Sequence, residues 1–203
     1  MNDQACVFVV DDDREVRDAL QLLLESVGLR VECFESALGY LDKFDPEKPG
    51  CLLLDVRMPG MSGLDLQLRL AQERICPPII IVTGHGDVPM AVRAVQAGAM
   101  NFIEKPFNDQ QLLDSVHRAI EKDAQQRGAV SRLVEIEVRL NRLTPREREV
   151  MDLVVAGRRN KLIAADLGVS QSTVEAHRAK VMEKMEAKTL SELMRMMLSL
   201  ESH

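Results

Sequence analysis

Hydrophobic and polar positions along the first 120 residues follow a pattern that is typical of a parallel sheet wrapped by helices. Short runs rich in β-branched residues predict five strands, and each run is followed by an amphipathic stretch of helical length. The predicted strands are 6–10, 30–34, 51–55, 79–83 and 101–104, and the predicted helices are 14–27, 36–44, 64–73, 88–97 and 109 to about 124. Gly28 and Gly98 stand where helix C-terminal caps belong. The predicted fold class is α/β, with a doubly wound five-stranded parallel sheet.

Residues 143–203 show a different pattern, with no alternating stretch and with several helix-capping signals. Thr144, Pro145 and Glu147 have the spacing of an N-cap, a proline in the first turn and a capping box. The predicted helices are 145–156, 161–167, a third from the Ser170 cap to about 185, and 190–200. The short turn at Gly168 between the second and third helices is typical of a helix-turn-helix motif. This part is therefore predicted to be a second, all-α domain.

Residues 122–142 are mostly helix-forming and predict a helical linker between a first domain over 1–121 and a second over 143–203. Large apolar residues recur in this region at spacings of three and four, at Leu133, Ile136, Leu140 and Leu143. Such a stripe fits either a helix that packs on its own domains or a short coil that pairs with a second copy. Gly128 is expected to interrupt or hinge the helix.

The composition, with 46% hydrophobic and 29% charged residues, is ordinary for a globular protein. The sequence contains no apolar run of the roughly 18 residues needed to span a bilayer, so a membrane protein is not expected. The first residues lead directly into a predicted strand without the features of a secretion signal, which favours a cytoplasmic location. Cys6, Cys33, Cys51 and Cys76 lack zinc-ligand or C-x-x-C spacing, and we expect buried, reduced thiols.

The net charge of −6 is unevenly distributed along the chain. It is −9 over residues 1–121, +2 over 122–142 and +1 over 143–203. Because an acidic first domain repels nucleic acid, any contact with DNA is expected from locally clustered cations in the second domain.

Reactive side chains follow the predicted strands at their carboxyl ends, where the functional groups of such a sheet collect. They are Asp11, Asp12 and Asp13 after the first strand, Asp55 at the end of the third, Thr83 at the end of the fourth and Lys105 after the fifth. Clustered carboxylates need a hard cation, so we expect Mg²⁺ as the cofactor. Asp12 and Asp55 are the expected direct ligands, with Asp11 acting through water.

This set of side chains is suited to phosphoryl transfer. Asp55 is the expected nucleophile, while Lys105 and the Thr83 hydroxyl are expected to contact phosphoryl oxygens. Asp13 is expected to have a structural role as the N-cap of the first helix.

Several segments of the sequence resemble bacterial two-component response regulators of the NarL/FixJ type, and the likeness covers essentially the whole chain. The segments are VVDDD, LLLDVRMPGMSG, IVTGHGDVPMAV, AGAMNFIEKPF and the C-terminal block. The resemblance implies a flavodoxin-like receiver domain in which a partner histidine kinase phosphorylates Asp55. It also implies that the backbone carbonyl of Arg57 completes the metal site, that Lys105-Pro106 is a cis peptide, and that Phe102 moves with Thr83 as a switch. Phosphorylation is then expected to promote a homodimer.

The third helix of the second domain carries the candidate DNA contacts. Residue spacing places Val174, Val181 and Met185 on one inward face and leaves small and charged side chains on the other. The motif G-x-x-N-K-x-I-A followed by S-x-x-T-V-E-x-H-R resembles the LuxR-type output domain, which implies binding to double-stranded DNA and contact with RNA polymerase. The candidate DNA-binding residues are Asn160, Lys161, Thr173, Glu175, Ala176, His177, Arg178, Ala179 and Lys180. Glu175, Ala176 and Ala179 are expected at base edges, and Lys161, Arg178 and Lys180 at phosphates.

Two other classes of function compete with this interpretation. A magnesium-dependent phosphohydrolase fits the acidic cluster, but no Asp-x-Asp that would supply a general acid accompanies Asp55. A receiver that works only as an unphosphorylated interaction module is disfavoured because Asp55, Thr83 and Lys105 are all present. The sequence therefore predicts a regulator that is not an enzyme.

Overall fold

The computed structural model describes residues 5–72, 77–84 and 86–201. The chain divides into two compact units, and the boundary between them falls after Gln126. Separate hydrophobic clusters form the cores of the two units. In the part of the chain that the structure describes, none of the helices combines the length and the apolar character that crossing a membrane requires.

The first unit is built on a parallel sheet with the strand order β2-β1-β3-β4-β5, which confirms the predicted fold class. Its strands are β1 (Cys6–Val10), β2 (Arg30–Phe34), β3 (Gly50–Leu54), β4 (Ile79–Thr83) and β5 (Asn101–Glu104). Its helices are α1 (Arg14–Ser26), α2 (Ala37–Lys43), α3 (Gly63–Gln72), α4 (Val88–Gln96) and the first part of α5 (Asp109–Leu140). The strand order reverses beside β1, and ligands of such sheets bind at the carboxyl ends of the strands at that point.

The three central strands of the sheet are buried on both faces. Every residue of β1, β3 and β4 is buried, which explains their continuous hydrophobic runs. The edge strand β2 differs, because only Phe34 is buried in it and Cys33 is exposed. The prediction of a buried thiol is therefore wrong for Cys33, although Cys6 and Cys51 are buried as expected. Cys76 lies outside the described residues.

Helix ends follow the capping chemistry that the sequence predicts. Asp13 caps α1 by accepting a hydrogen bond from the Glu15 N–H at 2.9 Å. Gly28 and Gly98, which follow α1 and α4, adopt φ values of 81° and 94°, a region that strongly favours glycine. These caps fix where the chain leaves each helix to enter the next strand.

The helix α5 is a single helix of 32 residues that contributes side chains to both units. In the first unit, buried Asp123 accepts a hydrogen bond from the Gly50 N–H at 2.9 Å and so attaches α5 to the start of β3. In the second unit, Ile136 and Leu140 are buried in a hydrophobic cluster, as expected for a stripe that packs on its own domain. The expected interruption at Gly128 is wrong, because the helix continues through this residue.

The second unit continues with α6 (Pro145–Val155), α7 (Asn160–Leu167), α8 (Gln171–Lys184) and α9 (Leu190–Glu201). The capping box at Thr144 and Glu147 is present, as predicted. Gly168 ends α7 in the left-handed conformation with φ 65°, and Ser170 caps α8. The order of helix, glycine turn and helix is the helix-turn-helix arrangement that the sequence predicts.

Candidate functional site

The first unit brings two carboxylates and one ammonium group together at the carboxyl edge of the sheet. Asp11 follows β1, Asp55 follows β3 and Lys105 follows β5. Lys105 Nζ donates hydrogen bonds to Asp11 Oδ2 at 2.6 Å and to Asp55 Oδ1 at 3.3 Å. Both carboxylates are buried, while Lys105 is partly open to solvent. These three side chains form a small acidic site in which Lys105 is the part most open to solvent.

The electrostatics of this site leave it with an excess of negative charge. Burial raises the pKa of Asp55, and neighbouring Asp11 adds to the effect, while Lys105 lowers it only in part. Burial opposes the charged form of Lys105, but its contacts with the two carboxylates outweigh burial and raise its pKa. The site therefore favours the arrival of further positive charge.

The backbone around Asp55 holds its carboxylate in one orientation. The Arg57 N–H donates to Asp55 Oδ2 at 2.6 Å, and the Asp55 N–H donates to the Val10 carbonyl at 2.9 Å. Gly63 packs so closely that a Cβ atom there would lie 2.0 Å from the Asp55 carbonyl oxygen. The peptide bond between Lys105 and Pro106 is cis, as the family resemblance implied.

The three acidic residues after β1 have three different environments. Asp11 is turned into the site, Asp13 caps α1, and Asp12 is exposed. Among the residues that the structure describes, no three acidic, histidine or cysteine side chains are grouped closely enough to hold a metal ion.

Two further candidate residues lie next to the site on β4 and β5. Thr83 is buried at the end of β4, and its carbonyl accepts a hydrogen bond from the Lys105 N–H at 2.9 Å. Phe102 is half-buried, and a Cβ atom on Gly86 would lie 2.8 Å from its ring. The segment after β4 and the Phe102 ring are therefore in direct contact.

In the second unit, α8 is anchored by one face and leaves the other open. Val174 and Val181 are buried within α8, and Met185 is buried at its C-cap, as predicted. The candidate contacts Glu175, Ala176, Ala179 and Lys180 are exposed, while Thr173, His177 and Arg178 are half-buried. Lys161 is exposed on α7. Most of the predicted DNA contacts thus lie on the open side of the helix-turn-helix motif.

One polar cluster in this motif joins residues whose connection the sequence does not reveal. Arg178 Nη1 donates to Asn160 Oδ1 at 2.5 Å, and Asn160 Nδ2 donates to Glu175 Oε1 at 3.4 Å. Gln171 Nε2 also donates to Glu175 Oε1, at 3.1 Å. Gln171 was absent from the predicted contacts, although its spacing of four residues from Glu175 on a helix is a usable signal.

A doubly wound sheet with an acidic edge, followed by a helix-turn-helix unit, defines the two-component response regulators with a DNA-binding domain. Residues 7–117 match the family model described as response regulator receiver domain. Residues 141–197 match the model described as bacterial regulatory proteins, luxR family. The chain belongs to the response regulators with a LuxR-type DNA-binding domain, and is therefore a transcriptional regulator and not an enzyme.

Individual relatives resemble the chain over nearly its full length. Nodulation protein W of Bradyrhizobium diazoefficiens is 48% identical, over 95% of this chain and 85% of that protein. The transcriptional regulatory protein FixJ of Rhizobium meliloti is 46% identical, over 95% of both chains. The solved structure of the response regulator StyR matches with a TM-score of 0.88 and 42% identity, over 98% of this chain and 100% of that chain.

Proposed function

We propose that Asp55 accepts a phosphoryl group from a partner histidine kinase and that this modification controls binding to DNA. The observation that carries the proposal is the contact of Lys105 Nζ with both Asp11 and Asp55. It places one cation beside two buried carboxylates at the edge where this fold collects its reactive groups. Membership of the family implies the kinase and DNA as partners.

In the proposed transfer, a carboxylate oxygen of Asp55 forms a bond to phosphorus while the bond from phosphorus to the histidine nitrogen of the kinase breaks. The electron pair of the broken bond stays on the imidazole, and the product is an aspartyl phosphate. The Arg57 N–H orients the Asp55 carboxylate before the reaction, which reduces the entropy cost of in-line attack. Lys105 and the Thr83 hydroxyl are proposed to hold phosphoryl oxygens.

Receiver domains bind Mg²⁺ at their acidic phosphorylation site, and the buried carboxylates of Asp11 and Asp55 at this edge supply the type of oxygen atom that Mg²⁺ prefers. The proposed ligands are all oxygen atoms, from the carboxylates of Asp11, Asp12 and Asp55 and from the backbone carbonyl of Arg57. Two buried carboxylates share one ammonium group at this edge, and this excess of carboxylates supports a second cation. Bound Mg²⁺ would supply neutralising charge for the incoming phosphoryl group.

An apolar groove beside the acidic site supports docking of the kinase. The groove has a volume of about 580 Å³ and lies between α1 and the segment that follows β5. Its apolar lining includes Val16, Leu20, Leu23, Pro106 and Phe107. Lys105 also borders it, so a kinase helix seated there by its apolar face brings its histidine near Asp55.

The proposed response to phosphorylation passes from Thr83 to Phe102 and on to α4. A Cβ atom on Gly86 would lie 2.8 Å from the Phe102 ring, and this close packing supports a switch in which the ring follows a shift of the segment after β4. The adjacent helix α4 exposes an apolar surface formed by Val88, Val92 and Val95. This surface supports formation of a homodimer when the switch has moved.

On the DNA side, we propose that α8 enters the major groove. Glu175, Ala176 and Ala179 then face base edges, where a carboxylate accepts from cytosine N4 and an alanine methyl packs on a thymine methyl. The exposed cations Lys161 and Lys180 contact phosphates. We also propose that the chain contacts RNA polymerase and that it is located in the cytoplasm.

Labelling with acetyl phosphate tests the phosphoacceptor assignment. In the presence of Mg²⁺ the chain is expected to gain one acid-labile phosphoryl group by mass, and Asp55→Asn is expected to gain none. Asp12→Ala is expected to lose Mg²⁺ binding and labelling together. Labelling of Asp55→Asn at the wild-type rate would overturn the assignment, whereas a chain that never labels would act only as an interaction module. Genome-wide DNA pull-down with and without phosphorylation tests the output.

A further inference from the structure

The carboxylate of Glu175 is held in place by two amide groups from different parts of the helix-turn-helix motif. Gln171 reaches it along α8, and Asn160 reaches it from the first turn of α7. Both amides donate to Oε1, and Oε2 has no hydrogen-bond partner among the described residues. Glu175 is exposed, so the second oxygen faces solvent on the open side of α8.

Arg178 stabilises this arrangement through a hydrogen bond to Asn160. It is half-buried and borders the same small cavity as the core residues Val150, Val154 and Val181. Its Nη1 donates to Asn160 Oδ1 at 2.5 Å, which fixes the orientation of the Asn160 amide and turns its N–H₂ group towards Glu175. The guanidinium is therefore engaged within the protein, unlike the exposed side chain of Lys180.

We propose that Arg178, Asn160 and Gln171 are positioning residues that set the base preference of Glu175, and that Arg178 does not act through a DNA phosphate. The inference rests on the proposed function, because it assumes that α8 reads the major groove. A long exposed glutamate has several rotamers, and most of them direct the carboxylate away from one base edge. Two donors on Oε1 select one orientation and leave Oε2 to accept a hydrogen bond from a base.

The cluster of Arg178, Asn160 and Gln171 also reduces the unfavourable effect of placing the Glu175 carboxylate near DNA. A glutamate without hydrogen-bond donors around it is repelled by the DNA phosphates, and this repulsion lowers the affinity equally for every DNA sequence. Here Glu175 Oε1 accepts hydrogen bonds from two amide groups, and the positive charge of Arg178 lies behind Asn160. The repulsion is therefore reduced without moving the acceptor from the base edge.

Selection from a library of randomised DNA duplexes tests the proposal with the full chain, phosphorylated by acetyl phosphate and Mg²⁺. Arg178→Met keeps the apolar stem but removes the donor, and Asn160→Ala removes the connecting amide. Each is expected to lower discrimination at one base pair by about fivefold to tenfold. The double variant is expected to lose no more than either single variant, because the two residues act in series.

Lys180→Ala is the matched control, because it removes a cation on the exposed face of the same helix. It is expected to weaken all sequences alike and to reduce the salt dependence of binding by about one unit. Arg178→Met should leave that salt dependence unchanged. If Arg178→Met instead keeps the wild-type base preference and reduces the salt dependence, Arg178 is a phosphate contact and the proposal is overturned.

Two controls separate other outcomes. Gln171→Ala removes one donor from an exposed position where folding is not at risk, so an altered preference in this variant supports the proposal even if Arg178→Met is poorly folded. If Gln171→Ala and Asn160→Ala both select the wild-type motif, the proposal fails while the proposed function stands. If the wild-type chain selects no motif, the proposed function fails and this inference with it.

Discussion

Replacing Gly63 with alanine should damage the acidic site without touching any of its reactive groups. Gly63 is the first residue of α3, and its N–H donates to the Val56 carbonyl at 3.0 Å. A Cβ atom at this position would lie 2.0 Å from the Asp55 carbonyl oxygen. One added methyl group therefore acts directly on the backbone of the proposed phosphoacceptor.

The size of the effect follows from that distance. Real Cβ atoms essentially never approach closer than 3.0 Å, so either α3 or the Asp55 peptide must move by about 1 Å. Overpacking of this kind costs about 1–3 kcal/mol of unfolding free energy. A displacement of about 1 Å at a reacting group also costs roughly 100-fold in rate, so labelling by acetyl phosphate should slow by about that factor.

The matched control is Gly128→Ala in the middle of α5. A Cβ atom there meets nothing within 4 Å, and the residue lies inside a continuous helix. This variant should have a free energy of unfolding that is higher by about 0.5–1 kcal/mol, because alanine favours the helix more than glycine does. Its labelling rate should equal that of the wild-type chain.

Tyrosine fluorescence gives a clean measurement of the first unit alone. The sequence has one tyrosine and no tryptophan, and that tyrosine, Tyr40, is fully buried in the first unit. Denaturant unfolding followed at Tyr40 therefore reports the free energy of unfolding of the first unit, and labelling is followed separately by mass. A Gly63→Ala chain that keeps both its stability and its labelling rate would refute the close approach of Gly63 to Asp55.

Three further predictions concern other parts of the chain. The contact with Lys184 and the capping box lower the pKa of Glu147 to about 2, below its ordinary value of 4.5. Its stabilisation of the second unit is therefore complete above pH 4.5 and lost as the pH falls towards 2, and Glu147→Gln should flatten this dependence in circular dichroism melts. Leu22→Asp, at the exposed rim of the groove, should slow labelling by the kinase tenfold or more and leave acetyl phosphate labelling unchanged, while Leu38→Asp on α2 should affect neither. Val92→Glu on α4 should weaken dimerisation of the phosphorylated chain in sedimentation, and an unchanged dimer would exclude that surface.

The fold could be predicted from the sequence wherever local signals and burial agree. Four of the five strands begin and end where predicted, and the clearest signals are the apolar runs of β1 and β4, which are followed by Asp11 and Gly84. The exception is β3, which begins at Gly50, where a hydrogen bond to Asp123 holds the backbone. Asp123 is 73 positions away in the sequence, and local patterns do not report such a contact.

The continuity of α5 could not be predicted from its glycine. A glycine in a helix costs about 1 kcal/mol, which is enough to suggest a break when the segment is read alone. In the structure, Asp123 attaches the helix to the sheet on one side of Gly128, and Ile136 is buried in the second unit on the other. These tertiary contacts outweigh the local penalty.

For the candidate site, the sequence predicted which residues meet but not how they share contacts. The strand-end rule brings Asp11, Asp55 and Lys105 together. It does not distinguish Asp11, which turns inward, from Asp12, which stays exposed, because both follow the same strand. The hydrogen bond from Arg178 to Asn160 could not be predicted from local patterns either, because the two residues lie on different helices.

The geometry of the switch limits how strongly phosphorylation can act. An aspartyl phosphate carries about two negative charges where the free carboxylate carried one, and this change acts on the conformational equilibrium only through groups that contact the phosphoryl oxygens, which we propose are Lys105 and Thr83. Coupling between two sites is typically 1–3 kcal/mol, so each phosphorylated protomer should favour its active state by about 5-fold to 150-fold. A dimer contains two such protomers, so its formation should strengthen by about the square of that factor. Sedimentation of the phosphorylated chain and of Thr83→Ala measures this directly: Thr83→Ala should still be labelled but dimerise weakly, and full dimerisation without the hydroxyl would show that the signal leaves the site by another route.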